Sequence, residues 1–409
     1  MVGIFVLTTT LMLPTTGTAT AAVPDQVLAW NQLAYQELIV TGAQPPPVAA
    51  LHLAIVHGAI YDAVNAIDGG YQPLLVAPPA DHTDSTEAAA AAAGYRTLLY
   101  LLPGRASQLA GYYATSLDAI PDGPAEAGGV EVGEAAAAAM IFARTDDGRF
   151  GDPLFTEGTE PGDWRRVSPT GNNFKWVGQV EPFVIDDAAD FATSGPLPLG
   201  SSKYATEFNQ VKRLGRATGS TRTADQTAMA LFWSDHTIAL WNRMIRQVSI
   251  AEGLSTTENA RLFAMVYATG SDALIACFQD KERWGFWRPL TAIREALSDG
   301  NAATAPDGAW TPLLATPPYP DHPSGANCVT SAIVKTLRDF FGTNTMSFSG
   351  TNATLGITRS YTTFSQAVNE VRLARVYGGL HFMTADAQAV TLGRRVAVWR
   401  QDHSFQPVA

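Results

Sequence analysis

Apolar residues recur at three- and four-residue spacing over most of the chain, a pattern typical of α-helices. The pattern is clear from Asp25 to Ile39 and again from Val48 to Ile67. The second segment carries Leu51, Ile55, Ile60 and Val64 and ends at Gly69-Gly70, which predicts a core helix.

Two alanine runs predict helices that approach one another closely. Residues 84–87 have the form of a capping box and lead into Ala88–Ala93, and Glu134 precedes a second run, Ala135–Ala139. Small side chains along a helix face let a neighbouring backbone come near.

The helical signal returns at Ser201 and continues nearly to the end of the chain. Strand patterns are almost absent, except that Thr345–Thr358 is expected to form either a small hairpin or a plain loop. The predicted helices in this half cover residues 201–214, 223–251, 256–287, 326–341, 362–378 and 385–401. The sequence therefore predicts an all-α protein.

Four segments describe the predicted organisation. Residues 1–21 are expected to be a signal peptide, 22–147 an N-terminal helical part, 148–200 a long loop and 201–409 a catalytic helical bundle that forms one compact unit with the N-terminal part. The segment 148–200 is rich in Gly, Pro, Asp and Trp without a sustained period. It is either a lid or substrate wall, or an ordered surface cover.

The first residues predict export. An apolar stretch, Val2–Leu13, is followed by small residues, Thr18–Ala22, which resemble a signal-peptide cleavage site. No Lys or Arg precedes the stretch, so an ordinary buried N-terminal helix is the alternative. No later stretch predicts a membrane span in the mature chain, and a secreted or periplasmic location is expected.

The charge balance narrows the class of partner. The net charge of −11, from 38 acidic and 27 basic residues, argues against a nucleic-acid-binding protein. The first basic residue is Arg96, so any anion site requires a local pocket in the later segments. Cys277 and Cys328 lack the spacing of a zinc or redox motif and form either one disulfide bridge or two buried thiols.

Three separated segments place polar groups in apolar surroundings. In the first, Lys281-Glu-Arg-Trp-Gly-Phe-Trp-Arg288-Pro289, a continuous helix would put Lys281 and Arg288 on one face about 10 Å apart, within reach of a shared anion. Pro289 is expected to place Arg288 at a helix end. The alternative is a solvated charged patch.

The second segment, Tyr319-Pro-Asp-His-Pro-Ser324-Gly325-Ala-Asn, leads directly into an apolar helix. A helix start with Pro and Ser offers free backbone N–H groups, a hydroxyl and the positive end of the helix dipole, which together favour an anion. The third segment is Arg375-Val-Tyr-Gly-Gly-Leu-His381, in which the glycine pair is predicted to end a helix and redirect His381.

Taken in order, the three segments resemble the vanadium-dependent haloperoxidase and type 2 phosphatidic acid phosphatase superfamily. Residues His57–Ile67, which read His-Gly-Ala-Ile-Tyr-Asp-Ala-Val-Asn-Ala-Ile, resemble an early helix of its soluble, haloperoxidase-like branch. The resemblance implies an all-α helical bundle of the vanadium haloperoxidase and type 2 acid phosphatase type.

The resemblance also implies a site. Vanadate would bind His381 covalently, surrounded by Lys281, Arg288, Arg375, the Ser324 hydroxyl and the Gly325 N–H, with Asp386 holding the imidazole. Hydrogen peroxide and a halide or organic acceptor would be the co-substrates. The implied alternatives are an acid phosphatase that acts on phosphate esters through a phosphohistidine, with no cofactor, and an oxyanion-binding relative that has lost turnover.

The sequence departs from the family pattern at two positions. The family's acid–base histidine after Pro-Ser-Gly is replaced by Ala326, for which His322 and Asn327 are the candidate substitutes. The buttressing aspartate usually follows the histidine by four residues, whereas Asp386 follows His381 by five, so a backbone carbonyl is an alternative holder. The sequence leaves the halide preference and the oligomeric state open.

Overall fold

Helices dominate the computed structural model, which describes residues 25–167 and 171–408. The predicted all-α class is confirmed: the described residues contain 13 α-helices and one two-stranded antiparallel sheet. The helices are α1 Gln26–Ala34, α2 Pro46–Asp68, α3 Thr86–Leu101, α4 Ala106–Asp118, α5 Pro124–Ala143, α6 Ser202–Leu214, α7 Ala224–Phe232, α8 Thr237–Glu252, α9 Thr256–Trp284, α10 Pro289–Arg294, α11 Gly325–Phe341, α12 Phe364–Tyr377 and α13 Met383–His403. The strands are β1 Thr345–Thr351 and β2 Thr358–Thr363, and a π-helical segment, Tyr35–Thr41, continues α1.

Two long helices, α2 and α9, form the centre of the core. They pack against each other, α2 also contacts α3 and α5, and α9 also contacts α11. Both are long and apolar enough to cross a membrane by length and composition alone, but their most apolar windows are 100% and 94% buried inside the fold, as core helices are. The predicted signal peptide, residues 1–21, lies outside the described residues.

The alanine helices pack closely, as predicted. Helix α3 carries the first alanine run and lies along α5, where a Cβ built on Gly133 would stand 2.4 Å from the carbonyl oxygen of Ala89. A Cβ built on Gly129 would stand 2.2 Å from the Ser85 carbonyl oxygen. Only glycine allows this separation of the two backbones.

Two predicted boundaries differ from the structure. The helix predicted over residues 223–251 is two helices, α7 and α8, because His236 caps the start of α8: its Nδ1 accepts a hydrogen bond from the Ala239 N–H at 3.1 Å. The segment 345–358 forms a hairpin whose second strand runs on to Thr363. Helix α12 therefore starts at Phe364, behind a capping box of Thr363 and Gln366.

The segment 148–200 contains only two short 3-10 helices, Lys175–Gln179 and Ala188–Phe191, among its described residues. The buried carboxylate of Asp272 on α9 fastens it by accepting hydrogen bonds from three consecutive backbone N–H groups, those of residues 183–185. The Trp164 N–H also donates to the carbonyl oxygen of Gly285 at 2.6 Å. The segment is an ordered cover on the C-terminal half of α9.

Candidate active site

Lys281 and Arg288 reach the site from two helices. The predicted continuous helix is wrong: α9 ends at Trp284, because Gly285 adopts a left-handed conformation with φ 46° that glycine tolerates best. Arg288 then has an extended backbone and precedes Pro289, the first residue of α10. Its predicted position at a helix end is confirmed, at the start of the next helix.

Lys281 is buried beneath the loop that precedes α11. Its Nζ donates to three carbonyl oxygens of that loop: Pro320 at 2.7 Å, Asp321 at 3.1 Å and Pro323 at 2.5 Å. Burial lowers the pKa of the Lys281 ammonium to about 8. The lysine thus ties α9 to the Pro-Ser-Gly turn.

The Pro-Ser-Gly turn opens α11 as predicted. Ser324 is the N-cap, and the N–H groups of Gly325 and Ala326 have no hydrogen-bond partner among the described residues. The Ser324 hydroxyl lies within hydrogen-bonding range of the Asp386 carboxylate, which also accepts from Asn327 Nδ2 at 2.8 Å. The free N–H groups and the helix dipole make this end of α11 a ready anion site.

The glycine pair redirects the third segment, which confirms that prediction. Helix α12 ends at Tyr377, Gly379 is left-handed with φ 76°, and the Leu380 N–H donates to the Arg375 carbonyl oxygen. A Cβ on Gly379 would lie 2.5 Å from the carbonyl oxygen of Gly215, so the close approach also requires glycine. His381 follows two residues later, just before α13.

The imidazole of His381 lies between a carboxylate and a guanidinium. Its Nδ1 is 2.9 Å from Asp321 Oδ1, and its Nε2 is 3.1 Å from Arg288 Nη1. Burial, together with Arg288, Arg375 and Lys281, lowers the pKa of His381 well below its usual value, so the ring is neutral. Arg288 Nη1 lies 3.1 Å from Nε2 and 3.4 Å from Nδ1 and can donate to either nitrogen. The carboxylate of Asp321 beside Nδ1 favours the ring proton on that nitrogen and a lone pair on Nε2.

The carboxylate of Asp321 therefore lies beside the imidazole, at the position predicted for Asp386. The Asp386 carboxylate, 0% exposed, contacts Asn327 and Ser324 rather than the imidazole. Burial raises the pKa of Asp321 to about 7, against the opposing effect of Arg288, whose Nη1 is 3.8 Å away. Asp321 belongs to the second polar segment, but the family spacing pointed to a residue after the histidine, so no role was predicted for Asp321.

Arg375 carries the least satisfied charge of the site. Its guanidinium has no hydrogen bond and no ion pair among the described residues, and its Nε is buried without a partner. Arg288 donates Nε to the Tyr319 carbonyl oxygen and Nη1 to that of Leu380, but its Nη2 is likewise buried and unpaired. Leaving donors of a buried cation unpaired is costly, which indicates that an anion belongs beside them.

These groups meet at the bottom of a cleft of about 470 Å³. Its polar floor includes His381, Arg375, Gly325 and Ala326, whereas its walls are largely apolar. The wall residues are Pro46, Pro47, Ser234, Asp235, His236, Thr237, Ile238, Leu274, Phe278, Leu314, Ala315, Pro317, Tyr319, Val329 and Leu380. No described residue of the segment 148–200 is among them, which favours the ordered cover over the lid. A larger groove of about 670 Å³ along α13 contains none of the predicted site residues.

Neither candidate substitute for the missing histidine faces the cleft. His322 points to the other side of the loop, where its Nε2 is 2.9 Å from Thr193 Oγ1, and burial lowers its pKa to about 3. Asn327 is buried and its Nδ2 is committed to Asp386 and Ser324. Ala326 itself lines the cleft and leaves space there.

Several further polar residues have structural roles. His57 stacks between Phe263 and Tyr267 and is hydrogen-bonded to Asn31, and His52 is hydrogen-bonded to Gln44. Asp235 forms an ion pair with Arg243, and Trp287 is fully buried. Cys277 and Cys328 are both free thiols and both buried. Of the two predictions for the cysteines, the pair of buried thiols is confirmed.

The residues present fit a bound oxyanion such as vanadate. Vanadate or phosphate carries negative charge spread over several oxygens, and the site offers two guanidinium groups with unpaired N–H donors, free N–H groups of α11 and a neutral imidazole nitrogen. The ammonium of Lys281 adds positive charge below them. In the form described, Arg288 Nη1 occupies the approach to Nε2 and would move to admit the anion.

Comparisons with known proteins agree with this arrangement. Residues 261–408 match the family model of the VCPO second helical-bundle domain. The chain is 26% identical to vanadium chloroperoxidase of Curvularia inaequalis over a region that covers 42% of this chain and 34% of that protein, so it matches about a third of the relative's length. The resemblance predicted from the three segments is confirmed.

Solved structures show the same fold over nearly the whole chain. A structure described as the first bacterial vanadium-dependent iodoperoxidase aligns with a TM-score of 0.80 at 23% identity, covering 95% of this chain and 98% of that one. An apo-type bacterial vanadium-dependent chloroperoxidase aligns with a TM-score of 0.68 at 17% identity, covering 88% and 94%.

Proposed function

We propose that this chain, which carries the second helical-bundle domain of the vanadium chloroperoxidases, is a vanadium-dependent haloperoxidase-like enzyme that oxidises a halide with hydrogen peroxide. The observation that carries the proposal is the unpaired guanidinium of Arg375 beside the neutral imidazole of His381 at the bottom of a cleft. A half-buried cation without a protein partner among the described residues, next to an unprotonated ring nitrogen, is a site suited to an oxyanion.

Each residue has a role that follows from its position. His381 Nε2 would bond the vanadium, and Asp321 beside Nδ1 keeps the ring proton on the far nitrogen. Arg375, Arg288 and the N–H of Gly325 would bind the oxygens. Vanadate, when bound, supplies a Lewis-acidic centre that activates peroxide toward a halide.

In the form described, Lys281 and Ser324 interact with protein groups and would affect a bound anion indirectly. The ammonium of Lys281 is saturated by three carbonyl oxygens, so it fixes the Pro-Ser-Gly turn and contributes charge. The Ser324 hydroxyl interacts with Asp386 rather than facing the cleft. Either group would have to exchange a protein partner in order to bind an oxygen of the anion directly.

The size and the lining of the cleft would determine which co-substrates reach the bound anion. Its apolar walls and volume of about 470 Å³ leave room above the polar floor for a halide and for an apolar organic acceptor.

A second candidate, an oxyanion-binding relative with little turnover, is favoured by one observation. Position 326 holds an alanine, and neither His322 nor Asn327 reaches the cleft to replace a proton-transferring histidine. Loss of general acid–base catalysis typically lowers a rate by about 10² to 10⁴ while binding persists.

The test is a side-by-side assay of the purified chain. Vanadate- and peroxide-dependent bromination is measured against hydrolysis of a phosphate ester, together with binding of vanadate and phosphate. Bromination without hydrolysis supports the haloperoxidase. Hydrolysis alone would identify a phosphatase that uses His381 as nucleophile, and binding without either reaction would identify the impaired relative.

A further inference from the structure

Among the side chains that line the cleft is the Tyr319 hydroxyl, to which the family resemblance assigns no role. Tyr319 lines the cleft together with Ala326, Arg375 and His381. Its hydroxyl makes no hydrogen bond to any of the described residues. The phenol group is therefore an available donor in the wall of the cleft whose floor includes Ala326, where the family's histidine is missing.

The ring of Tyr319 is held in place from several sides. Lys281 Nζ and Arg288 Cζ each lie 5.1 Å from its centroid, and its carbonyl oxygen accepts the Arg288 Nε–H at 2.8 Å. The edges of the ring contact Phe278, with centroids 5.2 Å apart, and Phe174, at 6.4 Å. A side chain fixed in this way presents its hydroxyl in one direction at little entropic cost.

Three of the four other polar side chains at the wall of the cleft are already engaged, and the fourth is Thr237, the first residue of α8. Ser234 donates its hydroxyl to the Leu231 carbonyl oxygen, and Asp235 is paired with Arg243. His236 uses Nε2 on the Gln44 carbonyl oxygen and Nδ1 in capping α8.

We propose that Tyr319 is an oxyanion-binding residue: its hydroxyl donates a hydrogen bond to the anion held by His381 and Arg375, in the place that Ala326 leaves empty. The inference rests on the proposed oxyanion site, but not on which reaction that site performs. A hydrogen bond from a fixed hydroxyl to a charged group contributes enough to change the affinity by about tenfold or more.

The ring and the hydroxyl make separable contributions. The face of the ring attracts Lys281 and Arg288, an interaction that a phenylalanine would retain. Tyr319→Phe removes only the hydroxyl, whereas Tyr319→Leu also removes the surface against which the two cations pack. Tyr112→Phe, at an exposed tyrosine on α4, is the matched control.

The experiment measures binding of orthovanadate and of inorganic phosphate to the full-length chain by calorimetry, with the unfolding temperature of each variant recorded. Tyr319→Phe should weaken vanadate binding about tenfold with an unchanged unfolding temperature, Tyr319→Leu should weaken it further, and Tyr112→Phe should have no effect.

The outcomes separate this inference from the proposed function. Unchanged vanadate and phosphate affinity in Tyr319→Phe would overturn it, and so would a wild-type chain that binds neither anion. Weakened binding in a chain that never brominates would leave the role of Tyr319 standing while the haloperoxidase activity is rejected.

Discussion

Gly393→Ala should destabilise the protein and weaken its anion site, although alanine is the better helix former. Gly393 lies in the middle of α13 where that helix crosses α11. A Cβ there would stand 2.1 Å from the Cys328 carbonyl oxygen and 2.3 Å from Ser331 Oγ. Carbon and oxygen normally approach no closer than about 3.3 Å, so the helices would have to separate by about 1 Å.

The magnitude follows from two opposing effects. Replacing glycine by alanine inside a helix favours the folded state by about 1 kcal/mol. Overpacking costs about 1–3 kcal/mol, and the upper end applies because the obstacle is backbone rather than a flexible side chain. We expect Gly393→Ala to lower the free energy of unfolding by about 2 kcal/mol in a urea titration.

Gly111→Ala is the matched control. Gly111 is an exposed residue inside α4, and a Cβ there would meet nothing within 4 Å. This variant should be more stable than wild type by up to about 1 kcal/mol.

The separation of α11 from α13 should also displace groups of the candidate active site. Cys328 lies in the first turn of α11, the turn that presents the N–H groups of Gly325 and Ala326. Misplacement by about 1 Å can cost about 100-fold in rate, so bromination and vanadate affinity should both fall in Gly393→Ala. If Gly393→Ala were as stable as Gly111→Ala, the close helix contact and the reasoning built on it would be refuted.

Three further predictions concern other parts of the molecule. His381→Ala should abolish tight vanadate binding in calorimetry, since it removes the neutral nitrogen from the site, whereas the exposed His403→Ala should bind as wild type does. Glu207→Ala should lower the free energy of unfolding by about 1–3 kcal/mol, because the buried Glu207 carboxylate accepts both the N–H and the hydroxyl of Thr384 at the start of α13, and Glu207→Gln should recover most of that loss. Burial lowers the pKa of His52 to about 3, so only the unfolded chain takes up this proton as the pH falls below about 6.5. Stability should consequently fall by about 2 kcal/mol between pH 6.5 and 5 on account of this residue, and urea titrations of His52→Gln should lack that part of the pH dependence.

The sequence predicted the helices well where the pattern is long and periodic. It placed α2, α9 and α11 to within a few residues, because each buries a long run of apolar side chains. It failed where one local hydrogen bond decides the path. The capping of α8 by His236 and the left-handed turn at Gly285 each break a pattern that periodicity alone would continue.

The candidate site, too, was predicted from the sequence only in part. The four residues that the family resemblance pointed to, Lys281, Arg288, Arg375 and His381, lie close together in the structure. The partner of the imidazole was missed because a carboxylate can reach a ring from any element packed nearby, and sequence distance does not rank such contacts. Asp321 comes 60 positions before His381 in the chain, yet its carboxylate is 2.9 Å from Nδ1.

The arrangement of the three cations explains why the site tolerates an alanine at position 326. The ammonium of Lys281 donates to carbonyl oxygens, the guanidinium of Arg288 keeps one unpaired nitrogen, and that of Arg375 has no partner among the described residues. The number of unpaired donors therefore increases from buried Lys281 to Arg375, which lines the cleft. Arg375 and His381 both line the cleft, so an anion inside it can reach the unpaired guanidinium and the imidazole. Under the proposed function, binding would depend on charge, on the N–H groups of α11 and on the Tyr319 hydroxyl, and position 326 would affect proton transfer. Substitutions at Arg375 should accordingly change anion affinity, whereas substitutions at 326 should change turnover.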